Sequence, residues 1–185
     1  MLREHDLDTC ALVRLGRDVQ RACRDEDVTF LVNHDVDAAC ELGADGVHLG
    51  YRSVGVEAAR ARLSPGVLVG RSTHDALEWD AAWRAGADYV TYGPILDTPS
   101  KRGLLEPRGL RGLERAVAAA AGRPVVALGG LTPPDAPGVR AAGATGLAAI
   151  RALLDTDDET AAAAAFRSAW DAATATGSGA PGGRP

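Results

Sequence analysis

Cysteine is scarce and badly placed for structural work. Cys10, Cys23 and Cys40 form an odd set with wide gaps and no C-x-x-C pair, which argues against a disulfide framework or a zinc knuckle. They read as small apolar residues on helices. The four histidines, His5, His34, His48 and His74, include no H-x-x-x-H pair, so no protein-only zinc site is expected. No stretch reaches the roughly 18 consecutive apolar residues of a membrane-spanning helix. The first residues, Met1 to Asp6, lack the apolar core of a signal peptide, so a cytoplasmic location is expected. Basic residues are outnumbered, with 20 Lys+Arg against 25 Asp+Glu and a net charge of −5. That balance excludes a general surface for nucleic acid or anionic membrane but leaves room for a local anion site.

What is present is ordinary globular composition. The 185 residues are 46% hydrophobic and 24% charged, enough for one domain with a core. A short unit recurs. Gly43-Ala44-Asp45-Gly46, Gly86-Ala87-Asp88-Tyr89 and Gly143-Ala144-Thr145-Gly146 each follow an Ala-rich segment and precede an apolar run. Each reads as a helix ended by a left-handed Gly, a short loop and a buried strand. Further strands are expected at 28–32, 66–70 and 124–128. Helices are expected near 8–24, 35–42, 54–63, 74–85, 109–121, 133–142 and 157–173. Apolar strands alternating with helices imply an α/β fold with a parallel sheet. Residues 1–173 read as the folded domain, and the Gly/Pro-rich 174–185 as a disordered tail.

Such a pattern suits a doubly wound sheet or a TIM-type (β/α)8 barrel. The strand ends favour the barrel. Asn33-His34, His48-Leu49-Gly50, Arg71-Ser72-Thr73-His74, Gly93 and Gly129-Gly130 all fall just after strands, where barrel active sites are built. About six βα units are present, too few for a complete barrel, and the chain starts on a helix as though earlier units were missing.

Candidate chemistry gathers at those ends. Gly129-Gly130, with Gly146 to Arg151 around the next strand, suits a phosphate held by main-chain N–H groups, a helix N-terminus and a guanidinium. A Gly pair alone is equally an ordinary turn. Thr98, Ser100 and Lys101 put two hydroxyls and an ammonium within four residues of one loop, suited to a carboxylate or pyrophosphate. The alternative is a solvated loop. His74 opens a helix after a strand and is the candidate acid/base. Ser72 is a substrate ligand or a helix cap. His48, inside an apolar strand, reads as a core or support residue. The sequence fixes no role for His34.

Together these motifs resemble the thiamine phosphate synthase/TenI family of (β/α)8 barrels. The carrying segments are Leu2-Arg3-Glu4, Leu31-Val32-Asn33, Gly43 to Gly50, Gly70-Arg71-Ser72-Thr73-His74, Ala87-Asp88-Tyr89-Val90, Gly93-Pro94-Ile95 with Thr98 to Lys101, and Ala127 to Pro133, in family order over residues 2 to about 155. The resemblance implies an N-terminally truncated barrel lacking the first strand, the first helix and most of the second strand. It implies two activities. Thiamine phosphate synthase joins an aminopyrimidine pyrophosphate to a thiazole phosphate, with magnesium on the pyrophosphate. TenI-type thiazole tautomerase aromatises a thiazole phosphate carboxylate by moving a proton, without metal.

By residue-to-residue matching, Arg3, Asn33, Ser72, Thr98, Ser100 and Lys101 fall at substrate-binding positions, and Gly129, Gly130, Ile150 and Arg151 at the thiazole phosphate site. The two magnesium aspartates of the synthase correspond to His34 and Ser53, its pyrophosphate lysine to His5, and a serine to Arg151. Gly70-Arg71-Ser72-Thr73-His74 resembles the tautomerase signature, with His74 as its acid/base. The expected function is therefore a thiazole tautomerase, an isomerase of thiamine biosynthesis with no metal and no cofactor. The alternatives are a synthase, a transferase requiring magnesium, and a non-catalytic remnant that binds thiazole phosphate. The expected partner is small-molecule thiazole phosphate, not nucleic acid or membrane, with homo-oligomerisation left open.

Overall fold

The computed structural model describes residues 1–99 and 101–176. It divides into two compact units, residues 1–90 and 91–185. The first runs α1 (Thr9–Asp25), β1 (Leu31–Asn33), α2 (Val36–Leu42), β2 (Gly46–Leu49), α3 (Val56–Arg60), β3 (Leu68–Thr73) and α4 (Ala76–Arg84). Strand β4 (Tyr89–Tyr92) falls at the boundary. The second unit continues with α5 (Gly109–Ala120), β5 (Val125–Leu128), a 3-10 turn (Pro133–Asp135), α6 (Ala136–Ala141), β6 (Gly146–Ala148), α7 (Arg151–Leu154) and α8 (Glu159–Thr176).

Pairing is parallel in both units. In the first, β1 lies beside β2 with Val32 opposite Val47, and β2 beside β3 with Val47 opposite Val69. In the second, β5 lies beside β6 with Ala127 opposite Leu147. Within each unit neighbouring strands follow chain order. That is the pattern of a barrel wall, not the reversal that marks a doubly wound sheet. Leu2 adds a parallel bridge to Val32, so the first residues run beside β1 in a strand position. Val32, Val47, Leu49 and Val69 are fully buried in the first unit, and Ile95, Leu113, Ala127 and Val139 in the second.

The recurring tripeptide makes the same joint three times. Gly43, Gly86 and Gly143 have φ of 57°, 89° and 86°, left-handed geometry that glycine adopts without penalty. The next residue's N–H returns into the helix, Ala44 to Ala39 O, Ala87 to Ala82 O and Ala144 to Val139 O. The third residue then stitches the joint to the strand before it. The Asp45 carboxylate accepts the Phe30 N–H at 2.7 Å and Asp88 accepts the Val69 N–H at 2.7 Å. Thr145 Oγ1 accepts the Val125 N–H at 3.3 Å. Asp88 is also paired with Arg60, whose guanidinium reaches Val67 O at 2.6 Å.

Several predicted bounds shift. The strand expected at 28–32 begins at Leu31, because Val28 N–H closes α1 on Cys23 O after Asp27 turns left-handed at φ 52°. The helix expected at 54–63 is only Val56–Arg60. The stretch 133–142 divides into a 3-10 turn and a short helix, since Pro133 and Pro134 supply no N–H donors. Helix α7 begins at Arg151, where the phosphate-site reading places the start of a helix, but it ends after four residues and α8 follows as a separate element. The last helix continues to Thr176, three residues into the predicted tail, and 177–185 lie outside the described residues. Among the described residues no helix is long and apolar enough to cross a membrane.

Asp88→Ala should lower stability by about 1–3 kcal/mol, the cost of leaving a strand N–H without its charged acceptor. Asp88→Asn, which keeps a carbonyl oxygen, should lose less. Urea unfolding midpoints of the two variants check this.

Candidate functional site

In the second unit, β5 ends on Gly129 and Gly130, with φ of 106° and 71°. Neither has room for a side chain. A Cβ on Gly129 would lie 2.7 Å from Pro94 Cα, and one on Gly130 would lie 2.6 Å from Asp97 O. The main chain of the 94–97 loop is zipped against them, with Ile95 N–H on Leu128 O and Leu96 N–H on Gly129 O, both at 3.0 Å. Beside this turn is a cavity of about 290 Å3 lined by Thr98, Gly129, Gly130, Ile150, Arg151 and Asp97, among others. Arg151 Nη2 donates to Thr98 Oγ1 at 2.6 Å. Five residues assigned from the sequence thus converge: Thr98, Gly129, Gly130, Ile150 and Arg151. Helix α7 has only four residues, so the guanidinium rather than a helix dipole supplies the positive charge. Asp97 also lines the cavity. Arg102 bonds its carboxylate, with Nε at 3.1 Å, and holds it below the usual carboxylate range.

The rest of that loop differs from expectation. Lys101 is exposed, its N–H turned back to Thr98 O at 2.9 Å, and it does not line the cavity. Ser100 lies outside the described residues.

In the first unit His48 is the centre of a polar cluster. It is 3% exposed. Its Nε2 lies 2.9 Å from Ser72 Oγ and its Nδ1 3.0 Å from the Tyr89 hydroxyl, with the two rings stacked at 5.6 Å. Gly70 makes the arrangement possible, since a Cβ there would sit 2.0 Å from Tyr89 Cζ. Burial, and then the nearby Arg71 charge, push His48 down to about 4. Burial, and then Asp88, push Tyr89 up to about 12. Both are therefore neutral near pH 7. A neutral imidazole donates at one nitrogen and accepts at the other, so Ser72 and Tyr89 take opposite hydrogen-bonding roles. The support role read for His48 from the sequence is thus a specific one, fixing the Ser72 hydroxyl. Alternation of buried positions could not have paired it with Tyr89, 41 residues away.

His74 follows β3, with 18% of its side chain exposed. Its Nδ1 is 2.8 Å from Glu78 Oε2, which also accepts the His74 N–H at 2.6 Å. With Nδ1–H donated to that carboxylate, Nε2 is the nitrogen left for proton transfer. Asp75, not Ser72, caps α4, accepting the Glu78 N–H.

Asn33 ends β1 and His34 follows at φ 70°. His34 Nδ1 lies 2.9 Å from Ser53 Oγ, which also accepts the Gly50 N–H at 2.9 Å. The two positions matched to the synthase's magnesium aspartates are therefore adjacent in space, but they present an imidazole and a neutral hydroxyl. Magnesium takes oxygen ligands, commonly with one or two carboxylates. This donor set does not fit it, and among the described residues no group of three or more His, Cys, Asp or Glu is placed to hold a metal.

His48 has a consequence for acid stability. Its value lies below the ordinary 6.5, so the unfolded chain takes up the proton first. Stability is full above pH 6.5 and falls as pH drops from 6.5 toward 4, by on the order of 3 kcal/mol. In His48→Gln that part of the decline should vanish, as read from urea midpoints between pH 4 and 7.

Comparisons with known proteins agree with this layout. A thiamine-phosphate synthase of Moorella thermoacetica is 41% identical over 166 residues, covering 90% of this chain and 79% of the relative. That of Salinispora arenicola is 44% identical, covering 82% and 73%. The thiamine biosynthesis bifunctional protein ThiM/ThiE of Symbiobacterium thermophilum is 44% identical over 89% of this chain, which spans 34% of that longer relative. The solved thiamine phosphate pyrophosphorylase of Pyrococcus furiosus superposes with a TM-score of 0.84 at 29% identity, covering 92% of this chain and 81% of that one. These names favour the transferase alternative over the isomerase expected from the sequence. Residues 1–153 match the family described as Thiamine monophosphate synthase, and the chain belongs to that family.

Proposed function

We propose that the protein acts in thiamine biosynthesis as a transferase of the thiamine-phosphate synthase type, joining an aminopyrimidine pyrophosphate to a thiazole phosphate. The observation that carries the reading is that relatives covered to more than two thirds of their length, at 41–44% identity, are named thiamine-phosphate synthases, and the Arg151–Thr98 pair beside the Gly129–Gly130 turn supports a phosphate site common to both readings. The cavity suits a phosphate monoester. Glycine backbone approaches the oxygens closely and Arg151 supplies charge. With the phosphate anchored, the thiazole ring is held for attack on the pyrimidine's methylene carbon. The new bond forms as pyrophosphate leaves with the electron pair of the broken C–O bond. Ser72, with its hydroxyl fixed by His48, orients a substrate polar group. His34 and Ser53 offer an imidazole and a neutral hydroxyl, a donor set that does not suit magnesium.

A tautomerase is the second reading, favoured by the same His34 and Ser53 and by the His74–Glu78 pair. In it, His74 Nε2 takes a proton from one ring carbon and returns it at another.

The purified protein should form thiamine phosphate from the two substrates. Arg151→Ala should raise KM for the thiazole phosphate about 10- to 100-fold, the equivalent of one charge-assisted hydrogen bond, with a smaller effect on the pyrimidine substrate. If condensation is absent and the thiazole carboxylate phosphate is aromatised without metal, with loss of that activity in His74→Ala, the second reading replaces the first.

A further inference from the structure

The polar cluster around His48 has a direction. Its Nε2 lies 2.9 Å from Ser72 Oγ and its Nδ1 3.0 Å from the Tyr89 hydroxyl. A neutral imidazole carries one ring proton, so two arrangements satisfy both contacts. In one, Tyr89 donates to Nδ1 and Nε2–H donates to Ser72. In the other, Ser72 donates to Nε2 and Nδ1–H donates to Tyr89. The first leaves Ser72 with a proton to give to a group other than His48. The second spends that proton on the ring and leaves Ser72 an acceptor toward everything else.

Three observations select the first arrangement. A phenol is a stronger donor than an aliphatic hydroxyl, and the unprotonated ring nitrogen is the strongest acceptor in the cluster, so the bond from Tyr89 to Nδ1 gains most. Next, among the described residues His48 Nδ1 is the one hydrogen-bond partner of the Tyr89 hydroxyl. The second arrangement would leave the phenol proton with no acceptor in the protein, which is costly for a part-buried donor. Finally, Tyr89 is held in place. Its ring is stacked on the imidazole with centroids 5.6 Å apart and 28° between planes. It lies against Gly70, the β3 residue opposite His48. The joint before it sets that position, because Asp88 N–H donates to Val69 O at 2.8 Å and the Asp88 carboxylate accepts the Val69 N–H at 2.7 Å.

We propose that Tyr89 is a positioning residue that acts through His48: its hydroxyl holds the imidazole as the Nε2–H tautomer, and Ser72, accepting from Nε2, turns its own proton toward an acceptor atom of the substrate. Whatever else Ser72 touches, its polarity toward His48 is set from the far side of the ring. A ligand that offers a lone pair at that point suits this donor, and one that offers only N–H or O–H does not. The role in turnover rests on the transferase reading; the tautomer does not.

Long-range proton–nitrogen correlation spectra of the full chain near pH 7 test the tautomer, with the His48 ring identified by its loss in His48→Gln. Nε2 should be the protonated nitrogen, and protonation at Nδ1 would overturn the proposal. Tyr89→Phe keeps a ring over Gly70 and removes only the donor. It should lower kcat/KM for condensation about 3- to 10-fold, the equivalent of one neutral hydrogen bond. Ser72→Ala should lower it at least as much. Tyr89→Phe/Ser72→Ala should be no worse than Ser72→Ala alone, because both changes act on one contact. Losses that multiply in the double variant, or an unchanged kcat/KM in Tyr89→Phe, would also overturn the proposal. Thermal unfolding checks that each variant folds, and if Tyr89→Phe does not, the wild-type tautomer decides alone. If the wild type shows no condensation, the transferase reading falls and takes the role in turnover with it, while the tautomer still decides the relay itself.

Discussion

A strand N–H captured by the side chain of the next joint is the interaction on which both units depend. Asp45 reaches back to Phe30, Asp88 to Val69 and Thr145 to Val125. Each bond fixes the start of one strand relative to the start of the next. In a parallel sheet a one-residue slip would turn every buried side chain outward. With Val32, Val47 and Val69 aligned, the far strand ends are aligned too. Those ends carry Asn33, His48 and Ser72 in the first unit, and Gly129 and Ile150 in the second. Register set at one end of a strand thus becomes placement of polar groups at the other.

The two groups of site residues work by different physics. The second unit offers glycine main chain, the Arg151 guanidinium and the Thr98 hydroxyl, with the Asp97 and Asp155 carboxylates on the same cavity wall. The first unit holds a buried imidazole, His48, that stays neutral near pH 7 and orients Ser72 without changing charge. Burial separates the two imidazole types. His48 lies inside β2 and stays uncharged, whereas His34 is exposed in a strained turn. The buried and the exposed imidazole meet at a single strand end, His34 N–H being bonded to His48 O.

Much of this was legible in the residues themselves. The Gly-Ala-Asp repeat marked the helix-to-strand joints because left-handed glycine leaves a local signature. Gly129, Gly130 and Arg151 could be paired because they follow consecutive strands. The long-range bonds were not legible. Nothing near His48 announces Tyr89, and nothing near Phe30 announces Asp45, because those contacts exist only after the strands pair. The start of β1 was misplaced for a related reason. Val28 and Thr29 have strand-forming side chains, but the end of α1 claims the Val28 N–H. Lys101 shows the limit of loop reading, since a cation in a polar loop carries no sign of which way the loop turns.

The Gly129–Gly130 turn limits how this site can change over evolution. Its neighbours are main-chain atoms of the 94–97 loop, which no rotamer change can move aside. Substitution there would have to displace a loop that is itself hydrogen-bonded to β5. That wall of the cavity is thus closed to drift, and change is channelled to side chains such as Thr98 and Arg151. Relatives with altered ligand preference should therefore keep this backbone and differ in those side chains.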